Sequence, residues 1–189
     1  MAGSEESDEE GNIDVGVKFY MDFYKALQKG NWNAAEDFLN RHPNAISAKI
    51  TVRDKTALHV AVEAGHVDIV EELVERMSNE NLEIKNTHGF TALVQATYCG
   101  NYRMAECMLV KNGNLISIGA DEGILPVLIA LSNGHVKLAR YLYLLTPPGI
   151  LWPENGTVGT AIVCQAIFNG ALGKNLLFVL TIHLVSFPT

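Results

Sequence analysis

Most signatures of a reaction, an export route or a nucleic-acid site are missing from these 189 residues. There is no His-x-x-x-His, no Gly-x-Ser-x-Gly, no phosphate-cradling glycine loop and no paired acid motif. The expectation is a protein that is not an enzyme and holds no cofactor and no metal. Cysteine is scarce. Cys99, Cys107 and Cys164 have no metal-ligand spacing and suggest no disulfide framework. A reducing compartment fits, and all three read as small, buried apolar side chains. The opening residues "MAGSEESDEE" lack the apolar core of a secretory signal. Glycine at position 3 instead of 2 misses the myristoylation pattern. Basic residues are the minority, 14 Lys and Arg against 21 Asp and Glu, for a net charge of −7. Six of the acids, Glu5, Glu6, Asp8, Glu9, Glu10 and Asp14, crowd the start, and without them the chain carries −1. Phosphate contacts need clustered Lys and Arg, so nucleic acid is not an expected partner.

What the chain does have is a repeat. The pair Ala-x-x-x-Gly occurs as Ala26/Gly30, Ala61/Gly65, Ala96/Gly100, Ala130/Gly134 and Ala166/Gly170. The glycines are 35, 35, 34 and 36 residues apart. The eighth and ninth residues after each glycine are apolar in all five copies: Phe38-Leu39, Leu73-Val74, Met108-Leu109, Leu142-Tyr143 and Phe178-Val179. The fourth and fifth are apolar in four, beginning with Ala34-Ala35. Such offsets mark one face of a helix. Each unit therefore reads as two short helices joined at the glycine, in the second copy about 56–64 and 66–76. The alanine lets neighbouring helices approach. A turn precedes each first helix, with Asp54, Gly89, Gly123 and Gly159 where a left-handed residue belongs. Pro126 falls at the start of a helix, where its missing N–H costs nothing.

These residues resemble the ankyrin repeat, a turn plus two helices with a Thr-Pro-Leu-His signature. Thr56-Ala57-Leu58-His59 matches three of the four letters, Thr91-Ala92-Leu93 keeps the start, and Leu125-Pro126-Val127 keeps the proline. The tetratricopeptide repeat has a similar length but no glycine turn before its first helix. The stretches "FYKALQKGNWNAAEDFL" and "TALHVAVEAGHVDIVEELVERM", with the acidic start, resemble more narrowly plant ankyrin-repeat proteins that carry a C-terminal PGG membrane domain. That domain is not in this sequence. The resemblance implies an all-α solenoid of four to five stacked units. The expected organisation is a disordered acidic arm at 1–16, the repeat domain at 17–172 and an apolar tail at 173–189. The first unit has Phe19 where the turn glycine would stand, and is expected to start directly as a helix and act as a cap.

The histidines have a structural explanation. His59 is expected to hydrogen-bond Thr56 and adjacent backbone, tying one unit to the next; His66 and His135 are expected to bond a neighbouring loop. Function is expected on the concave face, which such a stack forms from turn tips and first helices. Seven positions into the first helices stand Gln28, Glu63, Tyr98, Ser132 and Phe168, with Lys29 beside the first. The tips offer Arg53, Lys55, His88, Phe90, Glu122 and Ile124. Their ordinary reading is a solvated surface, but exposed aromatics are enriched in binding hot spots. The expected partner is another protein and the expected place is the cytoplasm. The alternative is a truncated relative of the membrane-anchored proteins, at the cytoplasmic face of the plasma membrane. In the fifth unit Lys174 and Asn175 break the apolar pattern, and a run free of Asp, Glu, Lys and Arg follows from Leu176. Fourteen residues fall short of the about 20 that span a bilayer. The tail is therefore expected to be a truncation scar or an apolar capping helix, and membrane contact to be possible through it alone.

Overall fold

The computed structural model describes residues 18–151, which hold helices and turns and no strand. The expected arm at 1–16 and tail at 173–189, with Gly159, Cys164, Ala166, Phe168 and Gly170, lie outside the described residues.

Four helix pairs follow one another: α1 (Met21–Gln28) with α2 (Trp32–Arg41), α3 (Ala57–Ala64) with α4 (Val67–Arg76), α6 (Ala92–Tyr98) with α7 (Tyr102–Lys111), and α8 (Pro126–Ser132) with α9 (Val136–Leu145). Short turns of helix, α5 (Asn79–Leu82) and α10 (Pro148–Leu151), lie in connections. First helices pack side by side in the order α1, α3, α6, α8, and α4 packs on α7. Ala61, Ala96 and Ala130 are fully buried, as the close approach of first helices requires. The core runs without a break from Phe23 to Tyr143. No unit could bury its own apolar stripe, so stacking makes the core.

The punctuation acts as its chemistry dictates. Gly30, Gly65, Gly100 and Gly134 all adopt positive φ at the joint. Asp54, Gly89 and Gly123 do the same in the tips. A backbone bond closes the base of each tip, Ile50 N–H to the Lys55 carbonyl at 2.8 Å, Asn86 to Phe90 at 3.0 Å and Ala120 to Ile124 at 2.9 Å, and a second lies inside each turn, from Asp54, Gly89 and Gly123 to the Thr51, Asn86 and Ala120 carbonyls. Pro126 is the first residue of α8. Residues 18–19 are already helical, and Phe19 lies over Phe38 and His42 at 5.7 and 5.0 Å.

Two expectations need correction. Ala34 is exposed, while Ala35 is buried. In later units the equivalent Ile69, Met104 and Leu138 are buried; α2 has no preceding second helix among the described residues to cover Ala34. Cys99 is exposed and Cys107 only half-buried. Cys99 caps the C-terminus of α6, past the part of the helix that neighbours enclose.

Candidate protein-interaction surface

The helix starts and ends decide what each unit can offer. Thr56 caps α3, and its N–H donates to His59 Nδ1 at 3.3 Å, with the hydroxyl 2.9 Å from the same nitrogen. Since Nδ1 accepts, Nε2 carries the hydrogen and donates to the Phe90 carbonyl of the next unit at 2.8 Å. The ring is 1% exposed, and burial pushes its pKa below the ordinary histidine value, helped by Lys55 and opposed by the Phe90 bond. His59 is thus a staple between units, as the signature suggests.

The residue after each joint glycine works in one of two ways. Asn31 and Asn101 accept from Ala34 and Met104 N–H at 3.2 Å, capping their own second helices. The His66 and His135 rings turn away from theirs. Each places Nε2 3.0 Å from the last carbonyl of a first helix in the preceding unit, Gln28 and Tyr98 respectively. The expected partner was a loop; the actual partners are helix-end carbonyls that lack intrahelical acceptance. Further bonds join units 2, 3 and 4: Asn112 Nδ2 to the Asn79 carbonyl at 3.2 Å and Glu83 at 2.9 Å, and Lys85 to the Gly119 carbonyl at 2.8 Å. On the second helices Arg103 donates from Nε and Nη2 to the two carboxylate oxygens of Glu71, and Arg76 pairs with Glu36 while lying over Trp32.

With these groups occupied, the side chains left outward are few. Every first helix leaves its C-terminal end outward, at Gln28 and Lys29, Glu63 and Ala64, Tyr98 and Cys99, and Ser132 and Asn133, and α1 also exposes Met21, Asp22 and Lys25. Because the helices pack in order, these ends form one row. Lys55 runs along α3 to Glu63 at 2.6 Å, so the pair is nearly neutral and Lys55 is half-buried. A groove of about 390 Å³ opens between Gln28, Lys29, Val60, Glu63 and Ala64. Tyr98 is 57% exposed on a helix whose residues 92–94, 96 and 97 are buried. Arg53 and His88 are exposed on the tips, and Ile124 is 42% exposed. Phe90, read from sequence as an exposed aromatic, is half-buried against Val94, Ala120 and Ile129. Glu122 lies in the turn Asp121–Gly123. Among the described residues no cluster of His, Cys, Asp and Glu could hold a metal.

Comparison with known proteins matches the same layout. Residues 23–118 match the family model "Ankyrin repeats (3 copies)". Over 123 residues, 64% of this chain, it is 28% identical to the mouse "Ankyrin repeat and SAM domain-containing protein 6". Over 115 residues, 61% of this chain, it is 26% identical to rice "Probable E3 ubiquitin-protein ligase XBOS32". The matched stretch spans 14% of the mouse protein and 23% of the rice protein, so this chain is similar to a part of each. The family match covers more than half of the residues, and the chain belongs to the ankyrin-repeat family.

Proposed function

We propose that this chain is a protein-interaction module that holds another protein along the row of first-helix ends and the neighbouring tips. The family supports an interaction role. The observation that carries the location is Tyr98: a large aromatic side chain, 57% exposed, in a row otherwise made of Gln28, Glu63 and Ser132. Burial of α6 fixes the backbone that presents this ring, and tyrosine is over-represented among binding hot spots. Lys29, Glu63, Arg53, Lys55 and His88 are the polar rim of this reading, with Glu122 and Phe168 its extension toward the C-terminal units. The narrower idea, a truncated relative of membrane-anchored plant ankyrin-repeat proteins, rests on the resemblance of the two stretches quoted above. Among the described residues no helix is long and apolar enough to cross a membrane.

The test begins with a partner retrieved by proximity labelling, whose affinity is measured against three forms of the full chain. Tyr98→Ala weakens binding by about 1–2 kcal/mol with an unchanged circular dichroism spectrum. Lys137→Ala, on the outward side of α9, leaves affinity as it was. Equal losses from both, or none from either, put the contact elsewhere.

A further inference from the structure

Helix α1 closes one end of the described stack. It packs on α2 and α3, and no described unit precedes it. Lys18, Asp22, Lys25 and Lys29 are all exposed. Their spacing of four, three and four residues belongs to one helical face. Three of the four are cations, and none of these ammonium groups has an ion-pair partner among the described residues. Glu63, the acid beside Lys29 in the groove, is already held by Lys55 at 2.6 Å. Just upstream the chain carries the opposite charge in excess: six acids between residues 5 and 14.

We propose that the acidic segment 5–14 docks on the basic stripe of Lys18, Lys25 and Lys29 as an electrostatic ligand within the same chain. The reach is sufficient. Twelve residues extended at about 3.3 Å each cover about 40 Å. The stripe, from 18 to 29 at 1.5 Å per helical residue, is about 16 Å long. The short tether holds the carboxylates near the stripe at an effective concentration on the order of millimolar. Ile13 is the one large apolar side chain between residues 5 and 14, against six carboxylates, so charge drives the contact. It needs no fixed conformation of the segment, since the carboxylates can exchange over three ammonium groups. Lys29 also lines the groove, and a segment held there competes with an acidic partner for that cation. The contact itself does not depend on the partner-binding role proposed above.

The experiment compares amide NMR spectra of the full chain with a variant neutralised in the segment: Glu5→Gln, Glu6→Gln, Asp8→Asn, Glu9→Gln, Glu10→Gln and Asp14→Asn. At roughly 20 mM salt, where charges act over more than 20 Å, the Lys25, Gln28 and Lys29 amides differ between the two forms; at about 1 M salt, with a screening length of about 3 Å, the difference vanishes. Lys111 and Lys137, exposed cations on second helices, stay unchanged. Lys25→Gln with Lys29→Gln removes two exposed charges and no core contact, and shifts the amides of residues 5–14 at low salt. Identical α1 amides in both forms overturn the proposal, as do differences that survive 1 M salt or appear equally at Lys111 and Lys137.

Discussion

His59 has one hydrogen to place, and the groups on its Nδ1 side favour the neutral ring. Thr56 N–H points at Nδ1, so a proton there would face a donor. Burial also disfavours the cation, and the pKa is lowered for that reason first. The folded state therefore binds fewer protons than the unfolded chain as pH falls through the ordinary histidine value of about 6.5. Stability rises with pH across that range, and it is lost as the medium is acidified toward the depressed folded pKa. The variant His59→Ala leaves the buried Thr56 amide without its acceptor, at a cost of about 1–3 kcal/mol, and takes from the Phe90 carbonyl one of its two donors, the Asn86 N–H remaining. Denaturant midpoints at pH 7 show that full gap between wild type and variant, and the gap narrows toward pH 5. A gap that does not change with pH would mean that His59 is not the titrating staple. This role was legible from Thr56-Ala57-Leu58-His59, because a side chain four letters into a known signature has few partners. The burial of Phe90 was not legible. Its neighbours Ala120 and Ile129 lie 30 and more residues away in sequence and come to it only through the stacking of units.

The elements were the easiest level to read, since a period of 34 to 36 residues fixes five joints at once. The difference between joints was hidden. All four described joint glycines have positive φ, yet their surroundings differ. A Cβ on Gly100 would lie 2.4 Å from the His135 ring, and one on Gly30 2.7 Å from His66. A Cβ on Gly65 meets nothing within 4 Å, because the next unit has Asn101 there, folded onto its own helix. The histidine thus packs its ring onto the preceding joint and the asparagine leaves the joint open. Gly65→Ala should cost the backbone term alone, about 1–2 kcal/mol. Gly100→Ala adds the displacement of His135 from the Tyr98 carbonyl, about 0.5–1.5 kcal/mol more. Chemical denaturation of both variants, repeated in a His135→Ala background, tests the cause. The two glycine substitutions become equal once the ring is gone. An excess at Gly100 that persists without His135 would assign it to something other than the ring.

Across the whole molecule the question is whether four small units melt as one body. Their apolar residues form a continuous core, and backbone or side-chain bonds cross every boundary: Gln28 with His66, Phe90 with His59, Tyr98 with His135. Energy in such a stack is the sum of weak units and strong nearest-neighbour interfaces, so damage to a central unit is felt at the ends. Leu93 is fully buried in α6, the first helix that packs between α3 and α8. Leu93→Ala empties part of the shared core and costs about 2–5 kcal/mol, a large part of the about 5–15 kcal/mol that holds a domain together. Trp32, in the first unit under Arg76, offers a probe far from that site. In a Trp152→Phe background its fluorescence reports the first two units alone, while circular dichroism reports all of them. With strong interfaces, Leu93→Ala moves both transitions to lower denaturant together and keeps them coincident. If the Trp32 transition held its wild-type midpoint while the dichroism signal moved, the stack would be two separately folding halves meeting at α6, and the row from Lys29 to Asn133 would not be one rigid surface.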